Sequence, residues 1–315
     1  MDDEQEPILP TNLTPLQRRI VDAAALIIED EADGTEYMHS ILCQVGLPRS
    51  RVDGRTFERS SGSASILIEA GKLFRRRGWE DQPLPYGAKP RLVLMHLCSE
   101  AVRLKSPEIE VGRSAREFLG RLGLDNGGHE YARFRAQMEA LSACRMMLGW
   151  MSPDETRAVT INTNPISRFE AWMQHDSKSL GLWPGTMTLS REFFDSLLDH
   201  AVPLDPRAIA ALKDSSLALD VYSWLAHRLC RVRKAEGVKL SWANLQAQFG
   251  QEYVCRKDFK KKFRAALLKV CAVYPDARVE DEIGGIRLRS SPAPVAKTGV
   301  VVQLPKGDSE SGRGK

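Results

Sequence analysis

The chain contains no run of eighteen apolar residues, so a membrane-spanning helix is not expected. Its opening, MDDEQEPILP, is acidic and has no apolar stretch, so no signal peptide is expected either. Cys43, Cys98, Cys144, Cys230, Cys255 and Cys271 form no CxxC or other close pair, which argues against a zinc site and a disulfide framework. Free thiols within apolar helical runs fit a reducing cytoplasm. No phosphate-binding loop is present. At Gly71-Lys72 the next residue is Leu73 instead of a hydroxyl, and Ile66 stands where the first glycine belongs. The six histidines are isolated, so the paired-histidine metal site of a tyrosine-dependent nicking nuclease is missing. Glu280-Asp281-Glu282 form a carboxylate cluster, but on a turn that solvent explains. No enzyme activity, cofactor or metal is expected.

Net charge is equally uninformative at +4 across 315 residues, while 43% apolar content is enough for folded domains. The distribution of charge says more. From Ala226 to Pro275 there are 12 Lys and Arg against 3 Asp and Glu, whereas Asp2 to Glu36 is acidic. A concentrated basic block on a balanced chain is the footprint of a polyanionic partner.

Within that block, SWANLQAQFG reads as a short helix ending at Gly250, followed by a turn and a second helix, RKDFKKKFRAALLKVCA. On a helical wheel Phe259, Phe263, Ala266, Leu267 and Val270 share one side, and Lys257, Lys260, Lys261 and Arg264 the other. ARVEDEIGGIRLR then reads as a hairpin around Gly284-Gly285, with Arg287 and Arg289 alternating against Ile286 and Leu288. Short helix, turn, cationic helix and basic hairpin predict a winged helix-turn-helix with its long helix in the major groove of double-stranded DNA. The DNA-binding residues expected are Arg256, Lys257, Lys260, Lys261, Arg264, Arg287 and Arg289. Arg256 or Arg264 would read a base, and Lys260 and Lys261 would meet phosphates. Trp224 and Trp242 are expected in the core.

A similar order precedes it. PRLVLMHLCSEAVRL predicts a helix, IEVG a strand, SAREFLGRLG a helix opened by a Ser114–Glu117 capping box, and HEYARFRAQMEALSACRMMLGW a helix running into a strand. TRAVTIN, continuing through ISRFEAWM, would complete a hairpin. Val111 to Phe134 spans 23 residues, as does Leu240 to Phe263. The fold class expected is mainly α (α+β), two tandem winged-helix domains with short β-hairpin wings. Residues 1–50 would form an acidic arm and an N-terminal helix, 57–173 the first domain, 186–291 the second, and 292–315 a disordered tail. Ser50–Ser65 reads as a loop, Ser65–Arg77 as a helix, and Phe193, Phe194, Leu197 and Leu198 as the apolar face of a packed connecting helix. Arg133, Arg135 and Arg145 in the first unit are offset by Glu130 and Glu139, so the second unit is the stronger reader and the first suits self-association or weaker backbone contact.

Several runs together resemble the plasmid-encoded RepA replication initiators: ILIEAGKLFRRR, QPLPYGAKPRLVLMHLCSEAVR, SPEIEVG, REFLGRLG, RFRAQMEALSACRMMLGW, WPGTMTLSREFFDSLLDHAVPLD, LALDVYSWLAHRLCRV, LSWANLQAQFGQEY, RKDFKKKFRAALLKV and VYPDARVE. The resemblance spans roughly Phe57 to Pro292. It implies a cytoplasmic bacterial protein that binds origin repeats through two winged-helix domains and helps open the adjacent AT-rich duplex. It also implies recruitment of the host replication initiator and replicative helicase, a homodimer–monomer equilibrium, and repression of its own promoter by the dimer. The residues by themselves reach only a two-unit DNA-binding protein. A transcriptional repressor without a replication role, and an enzyme acting on DNA, stay open as alternatives.

Overall fold

The computed structural model describes residues 13–125, 127–152, 154–168 and 185–295. The expected acidic arm at 1–12, most of ISRFEAWM, Trp183-Pro184 and the expected tail from 296 onward lie outside the described residues.

The elements run α1 (Pro15–Glu29), β1 (Glu36–His39), α2 (Ser40–Gln44), β2 (Thr56–Ser61), β3 (Ala64–Glu69), β4 (Lys72–Arg75) and β5 (Gly78–Asp81). Then come α3 (Ala88–Leu104), β6 (Glu108–Glu110), α4 (Ala115–Arg121), α5 (Gly128–Ala143), β7 (Arg145–Met151), β8 (Ala158–Thr163), β9 (Ile166–Arg168) and β10 (Thr186–Leu189). The chain continues with α6 (Arg191–His200), β11 (Ala201–Leu204), α7 (Pro206–Leu212), α8 (Ser216–Arg228), β12 (Val238–Ser241), α9 (Trp242–Phe249), α10 (Arg256–Ala272), β13 (Val279–Glu282) and β14 (Gly285–Leu288). The architecture is mixed α and β, with several small sheets rather than hairpin wings alone. Among the described residues no helix is long and apolar enough to cross a membrane.

Local sequence explains most helix starts. Thr14 caps α1, accepting from the Gln17 amide at 3.3 Å while Gln17 Oε1 accepts from the Thr14 amide at 2.9 Å, and Pro15 fills the first turn. Ser114 caps α4 through the Glu117 amide at 3.1 Å. The Glu117 carboxylate, however, reaches the amide of Arg113 at 2.8 Å, one residue before the cap.

Four expectations need correction. Ser65–Arg77 is not a helix: it forms β3 and β4, and part of the expected 50–65 loop is β2. The reason is visible in the burial of Ala64, Ile66 and Ile68 against half-buried Ser65, Leu67 and Glu69, a period of two that fits a strand and not a helix. Residues 36–44 add β1 and α2 to the N-terminal region, and β1 pairs antiparallel with the distant β11, Glu36 opposite Leu204. Leu198 is exposed, while Phe193, Phe194 and Leu197 bury the face of α6 as expected.

Each half carries the order helix, strand, helix, helix, hairpin, but the strand is used differently. In the second half β12 joins β14, which pairs with β13, giving the sheet order β12-β14-β13. In the first half β6 pairs with β10, β10 also pairs with β9, and the β7–β8 hairpin extends the β2–β3 hairpin into a four-stranded sheet. Gly285 is required where β14 crosses β12, because a Cβ there would sit 1.8 Å from the Leu240 carbonyl oxygen.

A continuous apolar core joins the halves. Two buried arginine systems cross between them. Arg91 of α3 grips Asp220 of α8 with Nε at 2.6 Å and Nη2 at 2.8 Å, and donates to the carbonyls of Leu47, Pro48 and Gly87. Arg59 of β2 reaches Glu252 at 2.8 Å, and Arg49 bonds both Glu252 and the Phe249 carbonyl.

Candidate nucleic-acid interface

The second half builds its long helix on an aromatic bed. Phe259 and Phe263 are buried with ring centroids 5.5 Å apart, Phe249 lies 5.6 Å from Phe263, and Trp224 lies 5.2 Å from Phe249. Trp242 meets Phe263 edge-on at 6.0 Å. Trp224 and Trp242 are therefore core residues, as expected. Burial of Ala266 and Val270 completes the inward stripe of α10, and Leu267 is half-buried at its margin.

The rest of α10 faces outward. Lys257, Lys261 and Lys262 are exposed and have no ion pair among the described residues. Lys260 lies over the Trp242 ring with Nζ 5.4 Å from its centroid. Arg264 lies over the same ring at 5.0 Å and donates to Asp281 Oδ1 of β13 at 3.1 Å. Arg256 donates from Nε to Gln246 Oε1 of α9 at 3.0 Å. The two arginines are thus held in place by neighbours while the three lysines point into solvent. Lys262, which is not among the DNA-binding residues expected from the sequence, adds a further exposed cation to this helix.

The segment before α10 is held firmly. Glu252 takes Arg49 and Arg59, and Tyr253 packs between Arg49 (5.8 Å) and the Phe259 ring (5.7 Å). Burial alone would raise the Glu252 carboxyl, but Arg49 and Arg59, with the Arg49 amide, hold it below the usual carboxylate range. Val254 projects fully exposed from the same turn.

The hairpin is electrically quieter than its arginines imply. Arg287 donates to Glu282 at 2.8 Å, Lys239 approaches Glu282 at 3.1 Å, and Arg289 donates to Glu280 at 2.5 Å. Hydrogen bonds from Arg287 and Lys239 depress the Glu282 carboxyl, and the bond from Arg289 depresses Glu280 while raising Arg289 itself. Across the β13–β14 register these pairs are diagonal: Glu280 lies opposite Arg287, and each arginine reaches the carboxylate two residues away from its direct partner. The structure therefore gathers Arg256, Lys257, Lys260, Lys261 and Arg264 on one helix, and turns Arg287 and Arg289 toward carboxylates.

In the first half the long helix α5 has its cations matched, Arg133 with Glu130 at 3.3 Å and Arg135 with Glu139 at 2.9 Å, and its Glu130 also takes Lys89 of α3 at 2.6 Å. The contrast in charge between the two long helices survives at the level of individual ion pairs.

The family model described as plasmid encoded RepA protein matches residues 84–244, half of the chain. The chain belongs to this family of plasmid-encoded RepA proteins. The match begins just before α3 and ends within α9, so α10 lies beyond it. Two crystal structures of domains 2 and 3 of RctB, one a selenomethionine derivative, resemble the fold with TM-scores of 0.48 and 0.46. Both are 14% identical, and each comparison covers 78% of this chain and 94% of the RctB chain. No curated protein matches the sequence.

Proposed function

We propose that this chain is a plasmid replication initiator that docks on repeated duplex sites at an origin, chiefly through α10. In this reading residues 186–291 form a winged-helix domain with the β13–β14 hairpin as its wing, a reading supported by the bond from Arg264 of α10 to Asp281 of β13. Residues 57–173 form a related first domain with weaker DNA contact and a role in self-association. The observation that carries the reading is that Lys257, Lys261 and Lys262 are exposed, with no ion pair among the described residues, on a helix whose inward face is anchored by buried Phe259 and Phe263. Such a helix presents mobile point charges to phosphates, with Arg256 and Arg264 pre-positioned as the forked donors that suit guanine. Membership of the RepA family supports the replication context. Opening of adjacent AT-rich duplex, recruitment of host initiator and helicase, and a dimer–monomer equilibrium in the cytoplasm follow from that context.

Footprinting of the purified chain on DNA flanking its own gene tests the reading. Regularly spaced protected repeats are expected. A single protected palindrome at a promoter would make the protein a repressor instead, and no protection at any salt concentration would refute duplex recognition.

A further inference from the structure

The β4–β5 hairpin has no part in the interface above. Its base is seated directly on α5: a Cβ on Gly71 would come 1.8 Å from the Ala143 carbonyl oxygen. Arg75 clamps it there, with Nη2 at 2.7 Å from Glu139 and Nε at 3.2 Å from Glu80. The equal spacing from Val111 to Phe134 and from Leu240 to Phe263 aligns α5 with α10. By that alignment Glu139 stands where Leu268 stands. Leu268 is 74% exposed, whereas the Glu139 side chain, under the hairpin, is 13% exposed. The hairpin therefore occupies part of the outward face of α5, the face that α10 leaves open.

What the hairpin shows to solvent is unusual for a monomer surface. Phe74 and Trp79 are cross-strand partners, 64% and 68% exposed, with ring centroids 5.4 Å apart and planes inclined by 64°. Arg76 and Arg77 are exposed at the turn beside them. Two open ring faces next to two guanidinium groups match the chemistry of a nucleic-acid strand, with bases for the rings and phosphates for the cations. The 64° inclination decides which kind of strand. Rings so tilted cannot enter between two parallel, stacked base pairs as one plate, whereas unpaired bases turn freely to meet each ring.

We propose that the β4–β5 hairpin is a second nucleic-acid site, which holds an unpaired DNA strand by stacking bases on Phe74 and Trp79 with the backbone beside Arg76 and Arg77. This rests on the initiator reading, in which an opened duplex supplies such a strand, and it assigns the first half of the chain a task different from that of α10.

The test is fluorescence anisotropy of the full chain with a labelled oligothymidylate 20-mer and, separately, with duplex carrying the footprinted repeats. Phe74→Ala/Trp79→Ala should bind the oligothymidylate about tenfold to a hundredfold more weakly. Duplex binding should stay within about twofold, since α10 is untouched. Trp79→Phe should retain most of the oligothymidylate affinity, because an aromatic face survives. Arg77→Ala should lower the salt slope for the single strand by about 0.7. Circular dichroism should be unchanged throughout, as both rings lie outside the core. Failure of the parent chain to bind oligothymidylate would overturn the proposal, as would undiminished binding by the double aromatic variant or an equal loss on duplex. An absent duplex footprint beside intact, ring-dependent oligothymidylate binding would instead sink the initiator reading and leave the hairpin site standing.

Discussion

Glu252→Gln is the substitution that most directly probes how α10 is held. The wild-type carboxylate lies between Arg49 and Arg59, whose side chains are 6% and 1% exposed. Gln keeps the shape and one acceptor oxygen but removes the charge, leaving two buried guanidinium groups facing each other without a counterion. Breaking one side of a buried ion pair typically costs about 3–5 kcal/mol. Arg59 retains the carbonyls of Gly46 and Leu47, and Arg49 retains that of Phe249, so the lower end, about 3 kcal/mol, is expected. At roughly 2–4 °C per kcal/mol for a chain of this size, the melting temperature should fall by about 6–12 °C. Thermal unfolding followed by circular dichroism gives the number directly. Duplex binding measured well below the transition should weaken too, since Glu252 sits in the turn that aims α10. Adding Arg59→Met to Glu252→Gln should recover part of the lost stability, because one of the two stranded charges and its repulsion of Arg49 are then gone. If Glu252→Gln melts within about 1 °C of wild type, the carboxylate does not anchor this turn and the account of α10 positioning fails.

The same carboxyl makes a pH prediction. Its folded pKa is depressed, so its stabilisation is present above the unfolded carboxyl range and lost as pH falls through the folded value. The acid-induced drop in melting temperature below about pH 4.5 should therefore be shallower in Glu252→Gln than in wild type. Lys257→Ala, Lys261→Ala and Lys262→Ala should each lower the slope of log K against log salt by about 0.9, read from duplex titrations. Arg287→Ala and Arg289→Ala should change that slope less, because Glu282 and Glu280 already neutralise them, and a full unit lost at either would contradict the pairing. Phe263→Ala should cost about 3–5 kcal/mol in chemical denaturation, since that ring is fully buried among Trp242, Phe249 and Phe259.

The second half was the more legible part of the chain. Its helices have strong caps or clear amphipathic stripes, and Phe259, Phe263, Ala266 and Val270 sit inward as the wheel places them. The basic block announced α10 as the candidate interface before any geometry was known. What stayed hidden depended on partners remote in sequence. Nothing near Glu252 signals Arg49 and Arg59, which arrive from the other half. The β3–β4 stretch was misread because Ile66, Leu67 and Ile68 are adjacent apolar residues. Leu67 faces the more open side of a sheet whose β7 and β8 strands come from far along the chain. The hairpin tip RRRG looked like the end of a helix, where arginines and a glycine are equally at home. The neutralisation of the β13–β14 hairpin depends on diagonal pairs, Glu282 with Arg287 and Glu280 with Arg289, which the order of residues alone does not single out.

The pairing of β1 with β11 has a consequence for how the protein is made. Glu36 must wait for Leu204, roughly 170 positions later, and at about 5–20 residues per second the ribosome needs on the order of 8–34 s to supply it. Throughout that interval β1 offers unpaired amides and carbonyls, beside the apolar residues of α2 that later bury against α8. Nascent chains of this protein therefore pass through a sticky stage whose length is set by translation speed. Slow codons placed between the two strands would prolong it, and chains halted before Ala201 would carry a strand that can pair only with another molecule.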